Sequence, residues 1–220
     1  MRFVRILLLV FVLSTALAGQ SVVVDRGLAG ASAPLTIMVE QEKGFLGDSF
    51  RLGAVGENWM IDSIRVWAVP DTAPACTAGK PGDRIEKLTL YGALYNPPVP
   101  GQPECDCHAL VPVVNAPMEK GGSRFTTRTV AMTAEGALWQ IDFKDVRWSL
   151  PGGMDVLVAV RAAERAGQAC PAGKTWTLAA RPASEDYRLR LFDKALVPAG
   201  FAEAMPPARQ LLIQVKAHRN

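Results

Sequence analysis

The chain has 220 residues, with 24 lysines and arginines against 21 aspartates and glutamates, and a formal net charge of +3. Arg2 and Arg5 lie in a predicted signal peptide, and their removal leaves 22 basic against 21 acidic residues, a charge of +1. A near-neutral chain lacks the basic surface on which nucleic-acid binding depends, so we exclude that class of partner. About 200 residues can bury one substantial core, which favours a single large domain.

Residues 1–18 have the three parts of a secretory signal peptide. A basic start precedes an unbroken apolar run, residues 6–13, and the next five residues end in the small-x-small pattern of a signal peptidase site. The apolar run is shorter than the roughly 20 residues of a membrane-spanning helix, so cleavage after Ala18 is favoured over a retained anchor. We expect residues 19–220 to form one exported domain, secreted or periplasmic, without a transmembrane segment.

Alternation of apolar and polar residues predicts β-strands along most of the remaining chain. Every second residue is apolar in the stretches 87–91, 139–144, 155–160, 188–191 and 211–216. Clusters of glycine and proline separate these stretches. One apolar and one polar face is typical of an antiparallel sheet with a solvated side. Many short strands with such turns predict an all-β fold, an antiparallel β-sandwich of jelly-roll type.

Three tryptophans are predicted to begin strands, because each follows a glycine by three residues and precedes an aliphatic residue by two: Trp59, Trp139 and Trp176. A tryptophan and its i+2 neighbour share one face of a strand, which favours burial of all three rings in the core. The short gap after Thr133 contains Gly136 and predicts a hairpin just before the second tryptophan.

The strand that contains Trp59 changes its apolar face part-way along. Its apolar positions are odd-numbered up to Ile61 and even-numbered from Ile64. This change predicts a β-bulge at the two residues between them, or burial on both faces. A bulge would turn Trp67 outward beside Arg65.

Two stretches resemble the opening of a loose group of secreted bacterial β-sandwich domains: 47–52 (Gly-Asp-Ser-Phe-Arg-Leu) and 56–67 (Gly-Glu-Asn-Trp-Met-Ile-Asp-Ser-Ile-Arg-Val-Trp). Those domains share an Asp-x-Phe element followed by Trp-x-Ile-x-x-Ile-x-Val. They often occur in exported proteins with sorting-type C-terminal anchors, a feature that residues 211–220 do not show. The resemblance implies a β-sandwich and export. The group has no agreed activity, so the resemblance implies no catalytic residue.

Four cysteines, Cys76, Cys105, Cys107 and Cys170, all lie in connections rich in proline and glycine. Disulfides are favoured in exported proteins, and four cysteines allow three pairings. A Cys105–Cys107 bond would span only one residue, so we expect Cys76 and Cys170 each to pair with one of these two and to tie the loops together. The alternative, a metal site from the cysteines and His108, lacks the usual C-x-x-C spacing of zinc ligands.

Motifs for the common catalytic chemistries are missing from the sequence. The exported domain has two histidines, His108 and His218, and lacks the Gly-x-Ser-x-Gly, phosphate-loop and His-Glu-x-x-His patterns. We therefore assign no catalytic residue and favour a non-enzymatic protein. The alternative is a pair of carboxylates for polysaccharide hydrolysis, with Asp62 and Asp142 at matching places after their tryptophans.

No cofactor is predicted. Bound calcium is the one candidate, because it is common in sandwiches of this kind, and Asp48, Asp142 and Asp145 could supply oxygen ligands. No spaced loop of Asp, Asn and Gly marks such a site.

Aromatic residues on polar faces or in loops are the candidates for binding. Sugar-binding sandwiches stack pyranose rings on exposed tryptophan and tyrosine, which combine a flat apolar face with a polar tip. The residues that fit this description are Trp67, Tyr91, Tyr95 and Trp148. We therefore expect an exported, non-enzymatic β-sandwich that binds a glycan or another component of the cell envelope, with a polysaccharide hydrolase as the alternative.

Overall fold

The computed structural model describes residues 21–28, 35–36, 45–70, 85–95, 111–117, 125–133, 136–164, 176–182, 190–192, 198–201 and 209–220. Within these ranges the chain forms fifteen β-strands and no helix, so the all-β prediction is confirmed. In chain order the strands are β1 (Ser21–Arg26), β2 (Leu35–Thr36), β3 (Phe45–Arg51), β4 (Asn58–Pro70), β5 (Ile85–Tyr95), β6 (Val111–Pro117), β7 (Phe125–Thr133), β8 (Gly136–Phe143), β9 (Trp148–Pro151), β10 (Asp155–Glu164), β11 (Trp176–Pro182), β12 (Arg190–Phe192), β13 (Pro198–Phe201), β14 (Arg209–Leu211) and β15 (Ile213–Arg219).

The strands form two antiparallel sheets. The first has the order β1-β15-β4-β11-β14, while β8 and β9 pair with the other edge of β4, β7 pairs with β8, and β2 pairs with β11. The second has the order β13-β12-β3-β10-β5-β6. The predicted hairpin is present as β7 and β8, with Gly136 opposite Thr133. A jelly-roll connectivity stays a prediction.

The main core lies between the two sheets. Alternate residues of each central strand face it, among them Ile64 and Val66 of β4, Ile141 of β8, and Val156 and Val158 of β10. All five are at most 2% exposed. Burial of each such side chain stabilises the fold by about 1.5–3 kcal/mol relative to exposure. Packing between the sheets is therefore the main source of stability in the described part of the chain.

The tryptophans predicted to begin strands lie near strand starts. Trp59 is the second residue of β4, Trp139 the fourth of β8 and Trp176 the first of β11. Trp139 is 3% exposed in the main core, and Trp59 packs against that core. The side chain of Trp176 lies outside the described residues. Gly56, just before β4, has a φ of 90°, a backbone conformation that favours glycine.

The predicted bulge in β4 is present at Asp62. Lys216 of β15 lies opposite Ser63 and Ala217 lies opposite Ile61, so Asp62 is the extra residue. The bulge changes which residue numbers face the core. Strand β4 can therefore bury apolar side chains in the same core on both sides of Asp62.

The other neighbour of β4 is also interrupted beside Asp62. Strand β8 ends before this point and β9 begins after it, so residues 144–147 span two residues of β4. The Val146 N–H donates to the Asp62 carbonyl at 3.0 Å, and Asp145 and Arg147 have φ values of 48° and 50°. Such backbone costs about 1–3 kcal/mol at each non-glycine residue. The contacts around this connection must therefore hold it in place.

A buried ion pair joins the two sheets. Asp48 of β3 is fully buried, and its Oδ2 lies 3.3 Å from Arg26 Nη1 of β1. Its oxygens also accept hydrogen bonds from the backbone N–H groups of Leu211 and Ser49, each at 2.7 Å. A buried carboxylate is tolerated when it is paired and hydrogen-bonded in this way. Because β1 and β14 belong to the first sheet and β3 to the second, this contact fixes the sheets to each other.

Two turns dock against each other where the chain passes between the sheets. One turn connects β3 to β4 and the other connects β9 to β10. Gly153 N–H donates to the Leu52 carbonyl and Gly152 N–H donates to the Glu57 carbonyl, both at 2.8 Å. A Cβ on Gly153 would lie 2.8 Å from Val55 N, and the φ of Gly153 is 79°. Space and backbone conformation therefore both require glycine there.

The signal peptide, residues 1–18, lies outside the described residues, so export stays a prediction. His108 and the four cysteines also lie outside the described residues, so the disulfides stay a prediction: Cys76, Cys105, Cys107 and Cys170. Among the described residues, no helix is long and apolar enough to cross a membrane.

Candidate functional site

The outer face of the first sheet, which is turned away from the main core, carries a row of polar side chains on four adjacent strands. Arg128 of β7 lies opposite Gln140 of β8, and Asp142 of β8 lies opposite Arg65 of β4. Arg65 is in turn opposite Gln214 of β15. On each central strand these residues alternate with residues of the core, so they share the outer face. We call these five side chains the polar ladder.

Hydrogen bonds connect the polar ladder from end to end. Arg65 donates through Nε to Asp142 Oδ1, and through Nη1 to Gln214 Oε1 at 3.2 Å. The other carboxylate oxygen, Asp142 Oδ2, accepts from Gln140 Nε2 at 2.8 Å. Gln140 Oε1 accepts from Arg128 Nη2 at 3.1 Å. Each group of the ladder is therefore held in place by its neighbours.

The polar ladder is open to solvent at its centre. The side chains of Arg65 and Asp142 are 31% and 21% exposed, and Arg128 is exposed as well. Gln140 is buried and forms the base of the row. Cross-strand pairs and partly exposed ion pairs contribute about 1 kcal/mol or less to stability. A network across four strands is therefore better explained by what it presents to solvent than by what it adds to the fold.

Trp67 lies at the apolar end of the same face, and the prediction that it is an exposed binding residue is wrong. The bulge does turn Trp67 away from the main core, but its side chain is 4% exposed, because it packs in a second cluster with Leu138, Ala179 and Leu212. A ring covered in this way is not an exposed platform for a sugar. Within the described part of the chain, the Trp67 Nε1 is buried without a hydrogen-bond partner.

The other end of the outer face holds a His–Asp pair. His218 Nδ1 lies 2.8 Å from Asp62 Oδ2, and the two side chains are partly exposed. Lys216, two residues before His218 on β15, lies opposite Ser63. It is half-exposed, and none of the described residues contacts it as a hydrogen-bond or ion-pair partner. His218 and Lys216 therefore both lie on β15, which pairs with β1 on one side and β4 on the other.

The aromatic residues predicted to bind lie in different parts of the molecule. Tyr91 of β5 alternates with Leu90 of the core and is half-exposed on the outer face of the second sheet. Trp148 of β9 packs against the main core, with its ring over Gly92 of the second sheet. The side chain of Tyr95, the last residue of β5, lies outside the described residues. The described rings therefore do not share one surface.

The two carboxylates considered for hydrolysis each have a partner. Asp142 is bonded to Arg65, and Asp62 is bonded to His218. These ion-pair and hydrogen-bond partners argue against a shared catalytic role for the two carboxylates.

The three aspartates considered for calcium lie in three places. Asp48 is buried between the sheets, Asp142 is in the polar ladder, and Asp145 is in the exposed connection between β8 and β9. In the described ranges, no group of three or more His, Cys, Asp and Glu side chains could hold a metal ion together. These three residues therefore do not form the oxygen cage that calcium requires.

A charged cluster stabilises the turn before β4. Glu57 Oε2 accepts hydrogen bonds from the Ala54 N–H at 2.9 Å and from Trp59 Nε1 at 3.0 Å, and Glu57 Oε1 pairs with Arg219. The Ala54 N–H, followed by the Trp59 N–H and the Arg219 charge, lowers the pKa of Glu57 below its ordinary value. Arg219 also lies over the Trp59 ring, 5.6 Å from the centroid. This cluster fixes the turn and the end of β15.

Comparison of the chain with protein-family models, curated proteins and solved structures finds no match. The resemblance to secreted bacterial β-sandwich domains therefore stays a prediction.

The polar ladder was not predicted from the sequence. Alternation places Arg65, Gln140 and Asp142 on polar faces, and this is the one signal that the sequence offers. That they meet depends on which strands pair and in which register, which alternation does not indicate.

Proposed function

We propose that this chain is an exported, non-enzymatic protein that binds a glycan of the cell envelope on the outer face of its first sheet. The observation that carries the proposal is the polar ladder, which is held by its own hydrogen bonds and open to solvent at Arg65 and Asp142. Guanidinium, amide and carboxylate groups offer donors and acceptors in neighbouring pairs, which match the adjacent hydroxyl groups of a sugar.

The shape of the site suits a chain of sugars. The ladder crosses four neighbouring strands spaced about 4.8 Å apart, so it extends over about 14 Å, which is longer than one pyranose ring. Ordering a flexible side chain on binding costs about 0.5–1.5 kcal/mol. Because the ladder side chains are already ordered by their mutual hydrogen bonds, binding a ligand requires less further loss of side-chain entropy.

The alternative function, a polysaccharide hydrolase, has less support from the structure. Asp142 is paired with Arg65, and Asp62 is paired with His218. A proposal of binding without turnover accounts for the same polar face and requires no catalytic pair.

Hydroxyl-radical footprinting tests the proposal on the chain without residues 1–18. A panel of envelope polysaccharides is screened for binding, and the bound complex is then labelled. We expect protection of Arg65 and Arg128, whose side chains are accessible in the polar ladder, while Tyr91 on the second sheet is labelled as in the free protein.

Three results would contradict the proposal. Protection of Tyr91 without Arg65 and Arg128 would place the ligand on the second sheet. Failure of every polysaccharide in the panel to bind would exclude a glycan ligand from those classes. Cleavage of a bound polymer would support the hydrolase instead.

A further inference from the structure

Two residues of the polar ladder keep N–H groups without a partner among the described residues. Arg65 donates through Nε and Nη1, and neither N–H group on its Nη2 has such a partner. The side-chain amide of Gln214 accepts through its oxygen, and its two N–H groups likewise have no partner among the described residues. The side-chain oxygens of Asp142, Gln140 and Gln214, by contrast, each already accept one hydrogen bond from another ladder residue.

Lys216 adds a positive charge to the same face. It lies two residues from Gln214 on β15, is half-exposed, and has no hydrogen-bond or ion-pair partner among the described residues. Its ammonium group supplies donors and no acceptor. Arg65, Gln214 and Lys216 therefore form a group of neighbouring donors on β4 and β15.

Two of the three carboxylates near these donors have side-chain partners. Asp142 is bonded to Arg65 and Gln140, and Asp62 is bonded to His218. Asp25 of β1, opposite Gln214, is exposed and accepts a hydrogen bond from its own Gly27 N–H at 3.0 Å. Arg65, Gln214 and Lys216 therefore offer a ligand N–H groups from neighbouring positions, and the charge of Lys216 has no carboxylate partner among the described residues.

We infer that the glycan bound on this face is acidic, and that its carboxylate or phosphate groups accept hydrogen bonds from Arg65, Gln214 and Lys216. The inference rests on the proposed function and narrows the ligand to anionic sugars. Hydrogen bonds from a guanidinium or an ammonium to an anionic oxygen are shorter and stronger than those between neutral groups. An anionic sugar therefore gains more from this donor group than a neutral sugar of the same shape.

Isothermal titration with a matched pair of polymers tests the inference. The pair is polygalacturonate and its carboxyl-reduced form, which keeps the sugar backbone and loses the charge. We expect polygalacturonate to bind at least about tenfold more tightly, and its affinity to fall as salt is raised from about 0.01 M to about 0.15 M, because the charges become screened. A glycerol-phosphate polymer is the second arm, and tighter binding of that polymer would identify phosphate as the recognised group.

The outcomes separate this inference from the proposed function. Equal or tighter binding of the carboxyl-reduced polymer, with Arg65 and Arg128 protected, would overturn the acidic preference and leave glycan binding intact. Failure of both anionic polymers to bind would also overturn the inference. Footprinting with neutral polysaccharides would then decide the proposed function on its own.

A pair of lysine variants distinguishes recognition from general charge attraction. Lys216→Gln removes the positive charge from one member of the proposed group, and Lys87→Gln removes the same charge from β5 of the second sheet, where Lys87 is also partly exposed. Neither residue belongs to the polar ladder. We expect about a fivefold loss of polygalacturonate affinity for Lys216→Gln, the upper range for one exposed charge contact, and no change for Lys87→Gln. Equal losses would overturn the inference.

Discussion

Pairs of arginine and aspartate have different consequences in the interior and on the outer face of this β-sandwich. Arg26 and Asp48 lie between the sheets, with side chains 9% and 0% exposed, and they connect strands of different sheets. Arg65 and Asp142 lie on the outer face, 31% and 21% exposed, and connect strands that backbone hydrogen bonds already pair. The two pairs have the same residue types, so their location decides that the buried pair stabilises the fold and that the outer pair is accessible to a ligand.

A third pair provides a control for this comparison. Arg51 Nε lies 2.8 Å from Asp155 Oδ1, and the two residues are opposite each other on β3 and β10 of the second sheet. The pair has the residue types and cross-strand placement of Arg65 and Asp142, on the other sheet. Changes at Arg51 therefore report what the loss of such a surface pair does by itself.

The largest expected effect is on stability, from Asp48→Ala. The substitution leaves the Arg26 guanidinium buried without its carboxylate, and it removes the acceptor for the Leu211 and Ser49 N–H groups. Breaking a buried pair in this way costs about 3–5 kcal/mol. Urea denaturation should show a loss of this size in the free energy of unfolding.

Two further variants keep this prediction testable if Asp48→Ala does not fold. Asp48→Asn retains an acceptor and the shape of the side chain, so we expect a smaller loss. Asp155→Ala breaks the surface pair, and its cost should be about 1 kcal/mol or less. Similar losses for Asp48→Asn and Asp155→Ala would show that the buried pair does not join the sheets as described.

A smaller effect is expected from breaking the outer pair. A double-mutant cycle of Arg65→Ala and Asp142→Ala should give a coupling energy of about 1 kcal/mol or less, because the pair is partly exposed. Urea denaturation of the four proteins measures it. A coupling energy as large as that expected for the buried pair would mean that the polar ladder is a structural element and would remove the contrast drawn above.

The smallest effect concerns the exposed turn, and it is lost in acid. The pKa of Glu57 is lowered in the folded protein by the Ala54 N–H, the Trp59 N–H and Arg219, so ionised Glu57 stabilises the fold. This contribution is complete above the unfolded pKa of about 4.5 and is lost as the pH falls through the lower folded pKa. Glu57→Gln should therefore unfold more easily than the natural chain at pH 7, and the difference should shrink as the pH falls from about 4.5. A difference that stays constant down to pH about 2 would contradict this account.

Features of the fold that depend on residues close together in the chain were predictable from the sequence. The hairpin follows from the short gap that contains Gly136, and the bulge at Asp62 follows from a change in the alternation of apolar residues; both are local properties of the sequence. The placement of Trp67 was predictable only in part. Its outward direction follows from the bulge, but its burial depends on Leu138 and Leu212, which come from strands far away in the sequence.

The candidate site could not be predicted for the same physical reason. Arg65 is 77 residues from Asp142 and 149 residues from Gln214 in the chain, and their contacts arise from the register of β4 with β8 and β15. A shift of one residue in either register would place these side chains on the opposite face. Trp148 likewise looks like a surface aromatic in the sequence, whereas its contact with Gly92 of the other sheet places it against the core.

The most direct test of the central claim compares the affinities of Arg65→Gln and Arg51→Gln for one envelope glycan. If the polar ladder is the binding site, Arg65→Gln should lose at least about tenfold in affinity, or about 1.4 kcal/mol. Arg51→Gln, the matched change on the second sheet, should bind like the natural chain. Equal affinities for the two variants, or a greater loss for Arg51→Gln, would contradict the assignment of glycan binding to the outer face of the first sheet.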